Sequence, residues 1–264
     1  MQLTDEDRRQ GEAPDRLLDR VRKLLAKAEA EGVTPAEAQA LTAKAAELMA
    51  KYGIDRALLA AERPETDHPA NRIVDLDSPW AREKAHLLCG LASALRCHCI
   101  LLGTGARAPQ RRGPSGSPRA QRVHLFGFTS DIERTDVLYT SVLLQMWHGL
   151  AAARVPDVGT SPRAWRRSWL LGFATAVIAR VREAEHAAVT AATTAPGAAA
   201  ERTALVLADR SLIVRRHLEQ AYPVTRTARV TYSGSGYRDG YAQGQRADIG
   251  SARVSARRGK ALAR

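Results

Sequence analysis

Apolar residues first recur at helical spacing between positions 15 and 31, where Leu17, Leu18, Val21, Leu24, Leu25 and Ala28 share one face. Gly32 supplies a stop, because glycine enters the left-handed region without steric cost. Thr34, Pro35 and Glu37 then combine an N-cap, a proline at the first helical position and a capping-box carboxylate. The second helix this predicts runs to about Tyr52, buries Ala38, Leu41, Ala45, Leu48 and Met49, and ends at Gly53. Asp55 is placed to cap a short third helix through Leu58 and Leu59. Two helices joined by so short a turn must pack on each other, so residues 1–62 read as a helical hairpin module.

Residues 63–78 are rich in proline and polar groups and read as a linker. From Pro79 to about Arg96 the positions Trp80, Leu87, Leu88, Leu91 and Leu95 predict a helix. CHCILL (97–102) is short and apolar, and RVHLFGF (122–128) alternates. The two suit paired antiparallel strands around a Gly-, Pro- and Ser-rich hairpin loop, residues 103–121. SDIE, Ser130 to Glu133, opens a long amphipathic helix through Tyr139, Val142, Met146 and Leu150. The stretch SPRAWRRSWLLGF begins the next helix at Ser161. There Trp165, Trp169, Phe173, Val177 and Val181 recur every four residues, which puts both tryptophans on the buried face. Ala192 to Thr203 reads as a flexible Ala/Thr loop, followed by a helix to about Tyr222. Gly236, Gly240 and Gly244, four apart, predict either a helix lying very close to another backbone or a glycine-rich loop. The fold class is α+β and mostly helical: the hairpin, then a domain over 79–264 with a small helix-flanked antiparallel element of two or three strands.

The run RKLLAKAEAEGVTPAEAQALTAKAAELMAKYGI resembles the short helical module catalogued as domain of unknown function 2786, found in bacterial and phage proteins. The matching positions are Arg22 to Glu29, Glu37, Ala38, and Ala46 to Ile54. FGFTSDIERTDVLY and GYRDGYAQGQRAD resemble the region that often accompanies the module. The resemblance implies a phage or mobile-element setting and assigns no activity to any residue.

Charge sharpens the picture after the hairpin. The chain carries 40 Lys plus Arg against 28 Asp plus Glu, a net +12. Met1 to Ala70 hold 11 basic and 14 acidic residues, a balance of −3, so the remainder carries +15. Arginine dominates the excess and suits bidentate phosphate contacts, although a GC-rich coding sequence would also raise it. The loop 103–121 holds Arg107, Arg111, Arg112 and Arg119, borders Arg122, and contains no acid. Arg163, Arg166 and Arg167 stand beside the tryptophans, near a helix N-terminus that favours anions. The tail 251–264 adds Arg253, Arg257, Arg258 and Lys260, again without an acid. These twelve residues are the candidate phosphate contacts. A second basic stripe, Arg16, Arg20, Lys23 and Lys27, has Asp15, Asp19 and Glu31 beside it and reads as a solvated face.

Catalytic signals are absent from the pattern. Cys89, Cys97, His98 and Cys99 are zinc-type ligands, but no CxxC or HxxxH pair follows the CxC, so no metal and no cofactor is expected. GxSxG, HExxH and Walker A spacings do not occur. No apolar run approaches the ~20 residues of a membrane helix, and three clustered cysteines suit a reducing, cytoplasmic setting. The expectation is a noncatalytic protein that binds DNA or RNA by its backbone. The alternatives are an adaptor that docks a protein partner through the hairpin, or an enzyme of unrecognised geometry.

Overall fold

A computed structural model of the chain describes residues 19–21, 23, 24, 27, 35–102, 121–156, 161–194, 197–225 and 234–247. The described part of the hairpin follows its periodicity. Residues 19–21, 23, 24 and 27 are helical, and Val21 is buried against Ala45, Leu48, Met49 and Tyr52. Lys23 pairs with Asp19 at 2.7 Å on the exposed side.

The second helix, α1 (Pro35–Glu62), is longer than its sequence predicts. It runs straight through Gly53 and absorbs the separate helix expected after Asp55. Gly53 is no stop here. A Cβ at this position would lie 2.5 Å from Arg134 Cζ and 2.7 Å from Arg96 Nη2, so the missing side chain makes room for two guanidinium groups. That packing accepts the ~1 kcal/mol that glycine costs inside a helix.

Residues 63–78, expected as a linker, carry a 3-10 turn (Pro64–Thr66) and a strand, β1 (Pro69–Leu76). The prolines and charges that suggested a loop are the ones an edge strand tolerates: Pro69 is its first residue, and Asn71, Ile73 and Asp75 are exposed. The pairing β2 (His98–Leu102) with β3 (Gln121–Phe128) is antiparallel, as expected, and β3 is central in the order β1-β3-β2. Residues 103–120 of the basic loop lie outside the described residues.

Helix α2 (Ala81–Ala94) and helix α3 (Thr129–Ala152) pack on one face of the sheet, where Leu76, Ala85, Leu88, Val123, Leu125 and Ile132 form a core. Ser130 lies inside α3 rather than ahead of it, and its hydroxyl donates to Asp67 Oδ2 at 2.7 Å. Helix α4 (Pro162–Thr194) and helix α5 (Ala198–Ala221) extend into the expected Ala/Thr loop from both sides. Alanine is the strongest helix former, so the Ala-rich flanks of that stretch are helical. The end of α5 covers the other face of the sheet through Val214, Leu218 and Tyr222 against Phe126 and Phe128. The largest core lies among α2, α3 and α4, with Leu87, Leu91, Val142, Met146, Trp165 and Trp169 fully buried. Among the described residues no helix is long and apolar enough to cross a membrane.

The glycine spacing is resolved in favour of a close helix pair. Helix α6 (Tyr237–Arg246) lies along the first turns of α4. A Cβ at Gly236 would meet Trp165 O at 2.5 Å, one at Gly244 would meet Phe173 O at 2.5 Å, and Gly240 faces Trp169 between them. Matching steps of four in the same direction make the two helices parallel.

Candidate functional site

Parallel packing of α4 and α6 has an electrostatic consequence. Both helix N-termini, at Pro162 and Tyr237, sit at one end of the molecule, and their partial positive charges add there. The first turn of α4 contains no acid. Ser168 fastens the pair: its Oγ accepts from the Gly236 N–H at 2.9 Å and donates to Trp165 O at 2.9 Å. Arg163, Arg166 and Arg238 are exposed around these termini. Beside them a cleft of about 250 Å³ is lined by Arg154, Trp165, Trp169, Asp239 and Gln243. Both tryptophans are 1% exposed, so they form the floor of this end and offer no stacking face.

The other candidate arginines divide. Arg167 turns inward and its Nε donates to Glu83 Oε1 at 2.7 Å, a carboxylate only 4% exposed. Arg122 stands opposite Asp75 in the strand register and its Nε donates to Asp75 Oδ1 at 2.9 Å. Each is therefore partly neutralised by an acid the linear pattern did not pair with it. Arg107, Arg111, Arg112 and Arg119, and the tail residues Arg253, Arg257, Arg258 and Lys260, lie outside the described residues. The points where the loop joins the fold, Leu102 and Gln121, are nevertheless placed. Gln121 pairs with Leu76, Asp77 O accepts from Lys84 Nζ at 2.8 Å, and neighbouring Glu83 holds Arg167 of α4. The start of α2 thus bridges the strand ends that anchor the loop and the first turns of α4.

Sequence reasoning missed a buried ionic cluster on the far side of that helix. Arg134 is 0% exposed and donates from Nη1 to Asp131 Oδ1 at 3.0 Å and from Nη2 to Glu185 Oε1. Arg210 Nη2 donates to Asp67 Oδ2 at 2.8 Å and Asp131 Oδ2 at 3.2 Å, with its guanidinium 3.5 Å above the Phe128 ring. Arg96, in left-handed conformation at φ 66, reaches Glu185 Oε2 at 3.5 Å. Burial pushes the Arg96 guanidinium below its ordinary value. Burial acts the same way on Arg134, but Glu185 and Asp131 outweigh it and hold that guanidinium charged. Three cations face three carboxylates, so the cluster is neutral and closed. Its members come from α2's end, α3, α4, α5 and the turn before β1, which makes it a fastening point. Only the Asp131–Arg134 spacing of three was visible in the sequence.

On the sheet face toward α5 a polar seam runs through four side chains. The Tyr222 hydroxyl donates to His124 Nδ1 at 2.8 Å, His124 Nε2–H donates to Asn71 Oδ1 at 3.0 Å, and Asn71 Nδ2 lies 3.4 Å from His217 Nε2. His124 pairs with Ile100 and Cys99 with Leu125, so this histidine and Cys99 lie on opposite faces of the sheet. Among the described residues no three His, Cys, Asp or Glu side chains converge as a metal site.

No curated protein and no solved structure matches the chain. A family model matches residues 16–56, the stretch that leads up to the point where α1 meets Arg134 and Arg96, and its description is Protein of unknown function (DUF2786).

Proposed function

We propose that the protein binds nucleic acid through the phosphate backbone, at the end of the molecule where α4 and α6 begin. The observation that carries this reading is the convergence of exposed Arg163, Arg166 and Arg238 on two parallel helix N-termini. The acid-free arginine loop joins the fold through strand ends held to the same region by α2. Arginine at such a place supplies bidentate contacts to phosphate oxygens, and nothing in the arrangement reads base edges.

Fluorescence anisotropy with single- and double-stranded DNA and RNA over a salt series tests it. Each phosphate neutralised contributes ~0.7 to 0.9 to the slope of log affinity against log salt. Replacing Arg163, Arg166 and Arg238 with Ala is expected to flatten the slope by about 2 to 3, and replacing Arg107, Arg111, Arg112 and Arg119 by about 3. Absence of binding at low salt, or a slope that neither set alters, overturns the proposal.

A further inference from the structure

Three cysteines lie within eleven residues, and the phosphate-binding reading makes no use of them. Cys89 sits in the second half of α2, and Cys99 is the second residue of β2. Opposite Leu125 in the register, Cys99 stands on the sheet face that packs against α2. Both thiols are free and partly exposed, and both border the same apolar cluster. They share a hydrogen bond in which Cys99 donates to Cys89. Cys97 differs in kind. It is 3% exposed, fills the space left by Gly127, and has its Sγ 3.9 Å from Thr135 Oγ1. A further group points at the pair: the buried Tyr139 hydroxyl has no hydrogen-bond partner among the described residues and lies within electrostatic reach of Cys89.

We propose that Cys89 and Cys99 are a reversible redox dithiol, a modification site at which a hydroperoxide converts the two thiols to an intramolecular disulfide. The chemistry assigns the order. The thiolate is the attacking species, and the hydrogen bond from Cys99 holds the Cys89 thiol below its ordinary value while it raises Cys99. Burial pushes Cys97 up to about 12 and keeps it out of the reaction. Cys89 sulfur attacks one peroxide oxygen, the O–O bond breaks, and the departing oxygen takes a proton and leaves as water. The resulting sulfenic acid is then attacked by Cys99 sulfur. The S–O bond breaks, the S–S bond forms, and hydroxide leaves with the Cys99 proton as a second water. Two thiols lose two electrons and two protons, and one hydrogen peroxide is reduced to two waters. The bond would tie α2 to β2 across Arg96, the left-handed residue whose guanidinium lies against Glu185.

The test treats the reduced, full-length protein with a small excess of hydrogen peroxide, quenches in acid, denatures, and counts thiols. The expected fall is from three to one, with an intact mass lower by two hydrogens and a cross-linked peptide containing Cys89 and Cys99, all reversed by dithiothreitol. Cys97→Ser should leave the cross-link unchanged, and Cys99→Ser should instead accumulate a dimedone-reactive sulfenic acid at Cys89. Retention of three thiols, a disulfide that includes Cys97, or over-oxidised Cys89 beside a free Cys99 in the unmodified chain each overturns it.

Discussion

Gly53 and Arg134 show how far one position depends on another 81 residues away. Glycine inside an ordinary exposed helix is improved by alanine by ~1 kcal/mol. At Gly53 the opposite sign is expected, because the added methyl would enter the space of the Arg134 and Arg96 guanidinium groups. Arg134→Ala should be worse, removing ~3 to 5 kcal/mol by leaving the buried Glu185 with only the more distant Arg96 and Asp131 with only Arg210. Urea denaturation of both variants checks this, and a stabilised Gly53→Ala would mean that α1 does not press on the cluster. The histidines carry a pH prediction. His86, His98 and His124 are all held below the ordinary imidazole range, in each case first by burial. Arg215 adds to this at His98 and His217 at His124, while Glu83 opposes it at His86. A depressed folded value means that the unfolded chain takes up protons first. Stability from these sites is therefore complete above the unfolded value of ~6.5 and is lost as pH falls through the lower folded values. The urea midpoint should drop between about pH 7.5 and 5.5, and His124→Gln should reduce that drop. A midpoint that rises on acidification contradicts the assignment.

At the scale of elements, what was legible follows from local periodicity. Helices around Leu88, Val142 and Trp169, and the β2–β3 pair, follow from spacing because each buries one face whatever its neighbour is. Strand β1 was hidden, since an edge strand needs only its alternate residues Ala70, Val74 and Leu76 to be apolar, and Pro69 and Asp75 spoke for a loop. The glycine series lay between these cases. Its step of four announced a close approach, but the partner, the backbone of Trp165, Trp169 and Phe173, came only from the folded chain. Gly240→Ala should therefore force the parallel helices apart and cost ~1 to 3 kcal/mol by overpacking. Thermal unfolding measures this, and a neutral result would show that α6 does not lie against α4. The same separation would move Arg238 away from Arg163 and Arg166, so the variant should also weaken nucleic-acid binding in the proposed mode.

The whole molecule changes the standing of the N-terminal module. The hairpin reads as a separable unit, yet α1 packs on α3, α4 and α5, and its Gly53 turn faces the buried arginines. Removal of residues 1–62 would bare Arg134 and the Val137 side of α3, so the truncated chain should lose its cooperative thermal transition and bind a hydrophobic dye. A truncation as stable as the full chain would restore the separable reading.

Sequence alone determined the helical character, the strand pair, the buried tryptophans, the hairpin with its family and the uneven positive charge, because each is set by neighbours within a few residues. Tertiary structure decided the rest. It ran α1 through Gly53, turned Arg167 and Arg122 onto Glu83 and Asp75, brought the α4 and α6 N-termini together, and closed three arginines on three carboxylates. The physical reason is that charge pairing and close backbone approach act through space. A guanidinium finds whichever carboxylate the packed helices bring within about 3 Å, and sequence separation does not limit that choice.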